Sequence, residues 1–153
     1  MTRKSLLWLA FAFSVLTLAG AYFFQYAVGI LPCHLCLLQR YPHAAMAAFA
    51  LIGLVWRGPV APFLGAITAV WSLGLAIYHS GVERKLWAGP ADCTGGQDLS
   101  GLSGSDLLST EIASPIIRCD EVSFDILGLS FANMNAIGSL LLIVIWVRAL
   151  RKS

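Results

Sequence analysis

Four cysteines are the residues whose type and spacing can do chemistry: Cys33-His34-Leu35-Cys36 is a close pair, and Cys93 and Cys119 are 26 positions apart. In a Cys-x-x-Cys pair one sulfur can act as a thiolate while the other resolves the resulting mixed disulfide. A four-cysteine zinc site would usually bring a second close pair, and covalent haem attachment would need His at position 37, where Leu stands. No metal site is therefore expected. A staple between residues three apart restrains little chain, so Cys33 and Cys36 read as a redox dithiol. For Cys93 and Cys119 a static, loop-closing disulfide worth about 3 kcal/mol is a competing reading.

Two redox-capable pairs on one side of a small protein can pass electrons by exchange, and those electrons need an acceptor. A flavin domain would need room and a glycine-rich nucleotide fingerprint, and the chain offers neither. A lipid-soluble quinone needs only a slot between helices. Arg40, four residues after Cys36, is placed to stabilise negative charge on a quinone oxygen and on a nearby thiolate, or else to anchor its helix at the membrane surface. His79 is a candidate hydrogen-bond or proton donor on the same side, with Glu83 just beyond it, or else a histidine satisfied by water. His43 is a weaker candidate, one turn from Arg40.

The rest of the chain must position these groups in a membrane. Of the 153 residues, 58% are hydrophobic and only 12% charged, with a mean hydropathy of +0.78. A helix needs about 20 apolar residues to cross a hydrocarbon core about 30 Å thick. Four charge-poor runs meet or approach that length, and without alternating polarity they read as helices rather than barrel strands. The expected fold is an all-α, four-transmembrane-helix bundle forming a single membrane domain over 1–153. Its helices are expected near 6–28, 41–56, 60–79 and 130–148, with outer loops near 29–40 and 80–129.

Charge then orients the bundle. Arg3, Lys4, Arg57, Arg148, Arg151 and Lys152 share one side with both termini, and every acidic residue lies on the other. By the excess of basic residues in cytoplasmic segments, the N- and C-termini are expected to be cytoplasmic and the cysteine loops to face outward. The net charge of +2 sums a basic face and an acidic loop and leaves no nucleic-acid footprint. The first apolar run is too long for a signal peptide and is expected to remain as a span. Trp56, Trp87 and Trp146 fall where interfacial anchors are expected. In the long loop, Leu102, Leu107, Leu108, Ile112, Ile116 and Ile117 alternate with polar residues, as either a short amphipathic helix at the headgroups or an irregular loop would show.

Taken together, these residues resemble the disulfide bond formation protein B (DsbB) family. The resemblance rests on Cys33-x-x-Cys36 with Arg40, and on His79-Ser80-Gly81-Val82-Glu83 followed by Trp87, Gly89, Pro90 and Cys93. It extends to Cys119-Asp120-Glu121-Val122 and Leu127-Gly128-Leu129-Ser130, so it runs from the first helix through the fourth. It implies a multi-pass protein of the bacterial inner membrane with cysteine loops in the periplasm. Such a protein reoxidises a periplasmic DsbA-like thioredoxin-fold partner and hands the electrons to ubiquinone or menaquinone.

By the same resemblance, Cys93 would be attacked by the partner and Cys119 released towards Cys33. Cys36 would face the quinone with Arg40, and His79 would lie near it. Phe124 stands where the family often has Trp, which leaves that position without an assigned role. A reductase resembling vitamin K epoxide reductase would carry its Cys-x-x-Cys after the loop pair, the reverse of the order here. The alternative of a different class is a static membrane protein, stapled by disulfides or binding a metal.

Overall fold

A computed structural model of the chain describes residues 1–90, 118–120, 122, 125, 126 and 128–153. Helix α1 covers Arg3–Phe23 and begins where the Thr2 side chain accepts a hydrogen bond from the Ser5 amide. Such a cap satisfies one of the four amides that a helix start leaves unpaired. The helix runs on into a π-helical turn, Phe24–Val28, which Gly29 ends at φ +82°. Helix α2 is a short segment, His34–Leu38, and Gln39 joins it to α3, Arg40–Val55. Helix α4 spans Val60–Glu83 and α5 spans Phe131–Leu150, the latter capped by Ser130. Just before α5, strands β1 (Asp125–Ile126) and β2 (Leu129–Ser130) form a minimal antiparallel hairpin, with Asp125 opposite Ser130.

Four stretches are long and apolar enough to cross a membrane: Arg3–Val28, His34–Val55, Val60–Glu83 and Phe131–Leu150. They close into a ring in which α1 packs on α3, α3 on α4, α4 on α5 and α5 back on α1. The core holds Leu6, Leu7, Ala10, Met46, Ala50, Ala69, Leu142, Trp146 and Ala149. Large apolar side chains such as Leu16, Val55, Ile67, Trp71 and Leu140 point outward. That inverted surface suits hydrocarbon, where the bundle gains nothing by hiding them. The four-helix membrane bundle expected from composition is the fold observed.

Three boundaries differ from the sequence reading. The second span starts at His34 rather than near 41, because the Cys33 side chain caps it and Leu35 and Gln39 turn inward. The loop between the first two spans is correspondingly shorter than 29–40. Helix α4 continues past 79 to Glu83, which Ser130 meets with a hydroxyl hydrogen bond. Trp146 is not an interfacial anchor but is fully buried, its ring seated on Gly65, where an added Cβ would lie 2.5 Å from it.

The two ends of the bundle are chemically distinct. The Arg3 guanidinium donates to the carbonyls of Gly53, Trp56 and Gly58 and to the Ser153 hydroxyl. One side chain thus ties together the N-terminus, the turn between α3 and α4, and the C-terminus. Cys33, Cys36 and His79 lie at the opposite end. Cys93, the aliphatic segment 102–117 and Phe124 lie outside the described residues.

Candidate active site

Cys33 ends the loop after α1 and caps α2, its sulfur accepting the Cys36 amide at 3.2 Å. Because the chain turns into a helix at that point, the two sulfurs fall on one side, 2.7 Å apart, both as free cysteines. Cys33 is buried and Cys36 partly so. The hydrogen bond that the Cys33 thiol donates to the Cys36 sulfur, then burial, push the Cys33 thiol far above its ordinary range. Removing one proton from such a pair opposes removal of the next.

Helix α4 brings His79 to the dithiol, with Nε2 3.5 Å from the Cys33 sulfur and 3.8 Å from the Glu83 carboxylate. Its protonated nitrogen follows from a chain of side chains behind it. Asn135 Nδ2 donates to Gln39 Oε1 at 2.8 Å, which leaves Gln39 Nε2 to donate to His79 Nδ1 at 2.9 Å. A neutral His79 that accepts at Nδ1 carries its proton on Nε2, facing Cys33. Asn135 Oδ1 in turn accepts from His43 Nε2 at 2.8 Å, and Ser139 and Ser72 extend the polar seam. Five side chains from α3, α4, α5 and the α2–α3 joint therefore hold one imidazole in one tautomer.

On the other side of Cys36 a cavity of about 370 Å³ opens between α1, α3 and α5. Its walls are mostly apolar, including Phe13, Leu16, Phe24 and Met134, with Cys36, Gln39, Arg40, His43, His79 and Asn135 as the polar part. Cys36 and Arg40 reach it together because they are one helical turn apart. Arg40 is held by Gln25, which accepts from Nη1 at 2.6 Å, and its guanidinium carbon lies 4.7 Å from the centre of the Tyr22 ring. Gln25 sits in the π-helical turn, a feature common at functional sites. The Arg40 Nε is buried with no hydrogen-bond partner among the described residues.

Cys119 is disulfide-bonded and fully buried, and it packs in the same cluster as Cys33, Leu35 and Val82. Since Cys33 and Cys36 are free, its partner lies outside the described residues. Beside it, Arg118 makes a two-point contact with Asp120, which holds that carboxyl below its usual range. The structure thus gathers Cys33, Cys36, Arg40, His79 and Cys119 at one end, and His34 stays exposed outside the group. Gln25, Gln39 and Asn135 were missed by the sequence reading. The signal for two of them was a lone amide inside an apolar run, where a polar group is kept only if it bonds across helices.

The family model for disulfide bond formation protein DsbB matches residues 3–149. The chain belongs to the DsbB family. A disulfide bond formation protein B from Aromatoleum aromaticum is 36% identical over 124 residues, covering 75% of this chain and 72% of the relative. Its counterpart from Pasteurella multocida is 26% identical over 161 residues, covering 99% and 89%. An uncharacterized protein of Rickettsia prowazekii is 29% identical over 134 residues, covering 86% and 78%. No solved structure matches. Membership in DsbB makes this a multi-pass membrane protein of disulfide bond formation.

Proposed function

We propose that the protein is a thiol:quinone oxidoreductase of the bacterial inner membrane that reoxidises a periplasmic, DsbA-like thioredoxin-fold dithiol protein. One observation carries this reading: Cys33 packs with a disulfide-bonded cysteine, while Cys36 opens on an apolar cavity beside a tethered arginine. The basic end, with Arg3 and Arg57, is the cytoplasmic one, and the dithiol end is periplasmic.

The cavity fits a quinone ring. Its volume lies within the usual range for small-molecule sites, its walls are apolar, and the unpaired Arg40 Nε offers a donor for a ring oxygen. Ubiquinone or menaquinone bound there supplies the acceptor for two electrons and two protons. Arg40 would hold one ring oxygen, and Gln25 and Tyr22 fix the guanidinium without neutralising it. Membrane lipid excludes water from the Cys36 side. His79 places its Nε2 hydrogen on Cys33 and so favours the thiolate there when exchange demands it.

In the proposed sequence a partner thiolate attacks Cys93 of a Cys93–Cys119 disulfide and releases Cys119 as a thiolate. The partner's second thiol then closes the partner's own disulfide and frees Cys93. Cys119 attacks the Cys33–Cys36 disulfide, Cys93 resolves the mixed bond, and the membrane dithiol is left reduced. Its reoxidation gives up two electrons and two protons to the quinone, which balances the two thiols oxidised on the partner.

The test is oxidation of a reduced partner in membranes with added quinone, comparing the parent with Cys36→Ser and Cys93→Ser. Both substitutions are expected to abolish quinone-dependent turnover. A parental rate in either variant removes that cysteine from the route, and a parent without quinone-dependent turnover leaves a static, stapled protein.

A further inference from the structure

The dithiol and His79 also form a set of metal ligands. The two sulfurs and one imidazole nitrogen all lie within 4.8 Å of one another, and Cys33 and His79 are buried. We propose that the reduced protein binds a single zinc ion through Cys33, Cys36 and His79, and that oxidation of the dithiol abolishes the site. The proposal needs no quinone and no partner, so it stands or falls apart from the function proposed above.

Zinc sites of this donor type have Zn–S distances of about 2.3 Å and Zn–N distances of about 2.0–2.1 Å in a tetrahedron. Those lengths set an S···N edge of about 3.5 Å and an S···S edge of about 3.8 Å. Cys33 and His79 already stand at 3.5 Å. The sulfurs, at 2.7 Å, must part by about 1 Å, which a χ1 rotation of Cys36 towards the cavity provides. Glu83, 3.8 Å from the same imidazole nitrogen, or a water can take the fourth position.

The side chains behind His79 accommodate this change. Zinc needs a lone pair on Nε2, and hence a proton on Nδ1. If the Gln39 and Asn135 amides both turn over, Gln39 Oε1 accepts that Nδ1 proton, Gln39 Nε2 donates to Asn135 Oδ1, and Asn135 Nδ2 donates to His43 Nε2. Every contact in the chain survives with its direction reversed. On binding, each thiol gives up its proton and no electron moves. A disulfide offers no thiolate, so occupancy follows the redox state, and zinc would hold the protein reduced until a chelator removes it.

The experiment uses the full-length chain in detergent, with Cys93→Ser and Cys119→Ser added so that only one thiol pair remains. Zinc sulfate is titrated against a chromophoric chelator, and bound metal is counted by atomic emission. We expect one zinc per reduced chain, none after oxidation with diamide, and none in Cys36→Ser. His79→Ala should bind at least about tenfold more weakly. X-ray absorption of the zinc-loaded protein should count two sulfur and at least one nitrogen neighbour, a readout that requires no histidine variant to fold. Equal zinc in the oxidised and reduced forms, full occupancy in Cys36→Ser, or a zinc shell without nitrogen would overturn the proposal.

Discussion

Asn135→Asp is a nearly isosteric change that should reverse the tautomer of a histidine two side chains away. Asn135 donates to Gln39 Oε1, and a carboxylate cannot. Gln39 must then turn its Nε2 to residue 135 and its Oε1 to His79, which forces the imidazole proton onto Nδ1. The Nε2 facing Cys33 becomes a lone pair, and the thiolate loses its donor. A hydrogen bond to a charged group is worth about 1.5–3 kcal/mol, and each pH unit corresponds to about 1.4 kcal/mol. The Cys33 thiol, already raised, should therefore titrate about 1–2 pH units higher in the variant.

The assay is the rate of Cys33 alkylation by a neutral maleimide against pH, read by mass spectrometry on reduced protein lacking the loop cysteines. Asn135→Leu serves as companion. It removes the bond to Gln39 without adding charge, so it should shift the profile in the same direction but less. Superimposable profiles for parent and Asn135→Asp would refute the assigned tautomer. A shift to lower pH would mean that the new carboxylate acts by charging His43 or His79 instead.

Arg40→Ala should raise the apparent KM for quinone at least about tenfold while moving the KM for the reduced partner little, since one charge-assisted hydrogen bond is lost at the cavity only; equal effects on both would argue against a quinone contact. Gly81→Ala drives a Cβ into the Trp87 ring and should cost about 1–3 kcal/mol, seen as a lower melting temperature in detergent and largely relieved by adding Trp87→Ala. The reduced protein should lose stability as pH rises above about 8.5, by at most about 1.4 kcal/mol per pH unit. There the unfolded chain has released the Cys33 proton that the folded chain still holds, so the sign is negative, and the slope should vanish in Cys33→Ser.

Composition made the four spans legible because lipid imposes length and apolarity on every crossing segment. The start of the second span was not legible for the same reason. Gln39 and Arg40 read as loop residues, yet they turn towards the bundle interior and its cavity, where other helices supply their partners. Cys33, Cys36, Arg40 and His79 declared themselves by chemical type. Gln39 and Asn135 did not, since their roles depend on contacts between residues 40 and 96 positions apart that no local pattern encodes. Trp146 was misread because a tryptophan near a helix end suits an interface equally well until the glycine beneath its ring is known.

A single sulfur, that of Cys33, both begins a transmembrane helix and belongs to the dithiol proposed to carry electrons. Electron transfer at that atom cannot leave the backbone untouched, because a sulfur drawn into a covalent bond meets the Cys36 amide with altered charge and direction. On the proposed chemistry the membrane entry point of the second span would report oxidation, and deuterium uptake at the Cys36 amide would record it without any probe attached to the protein.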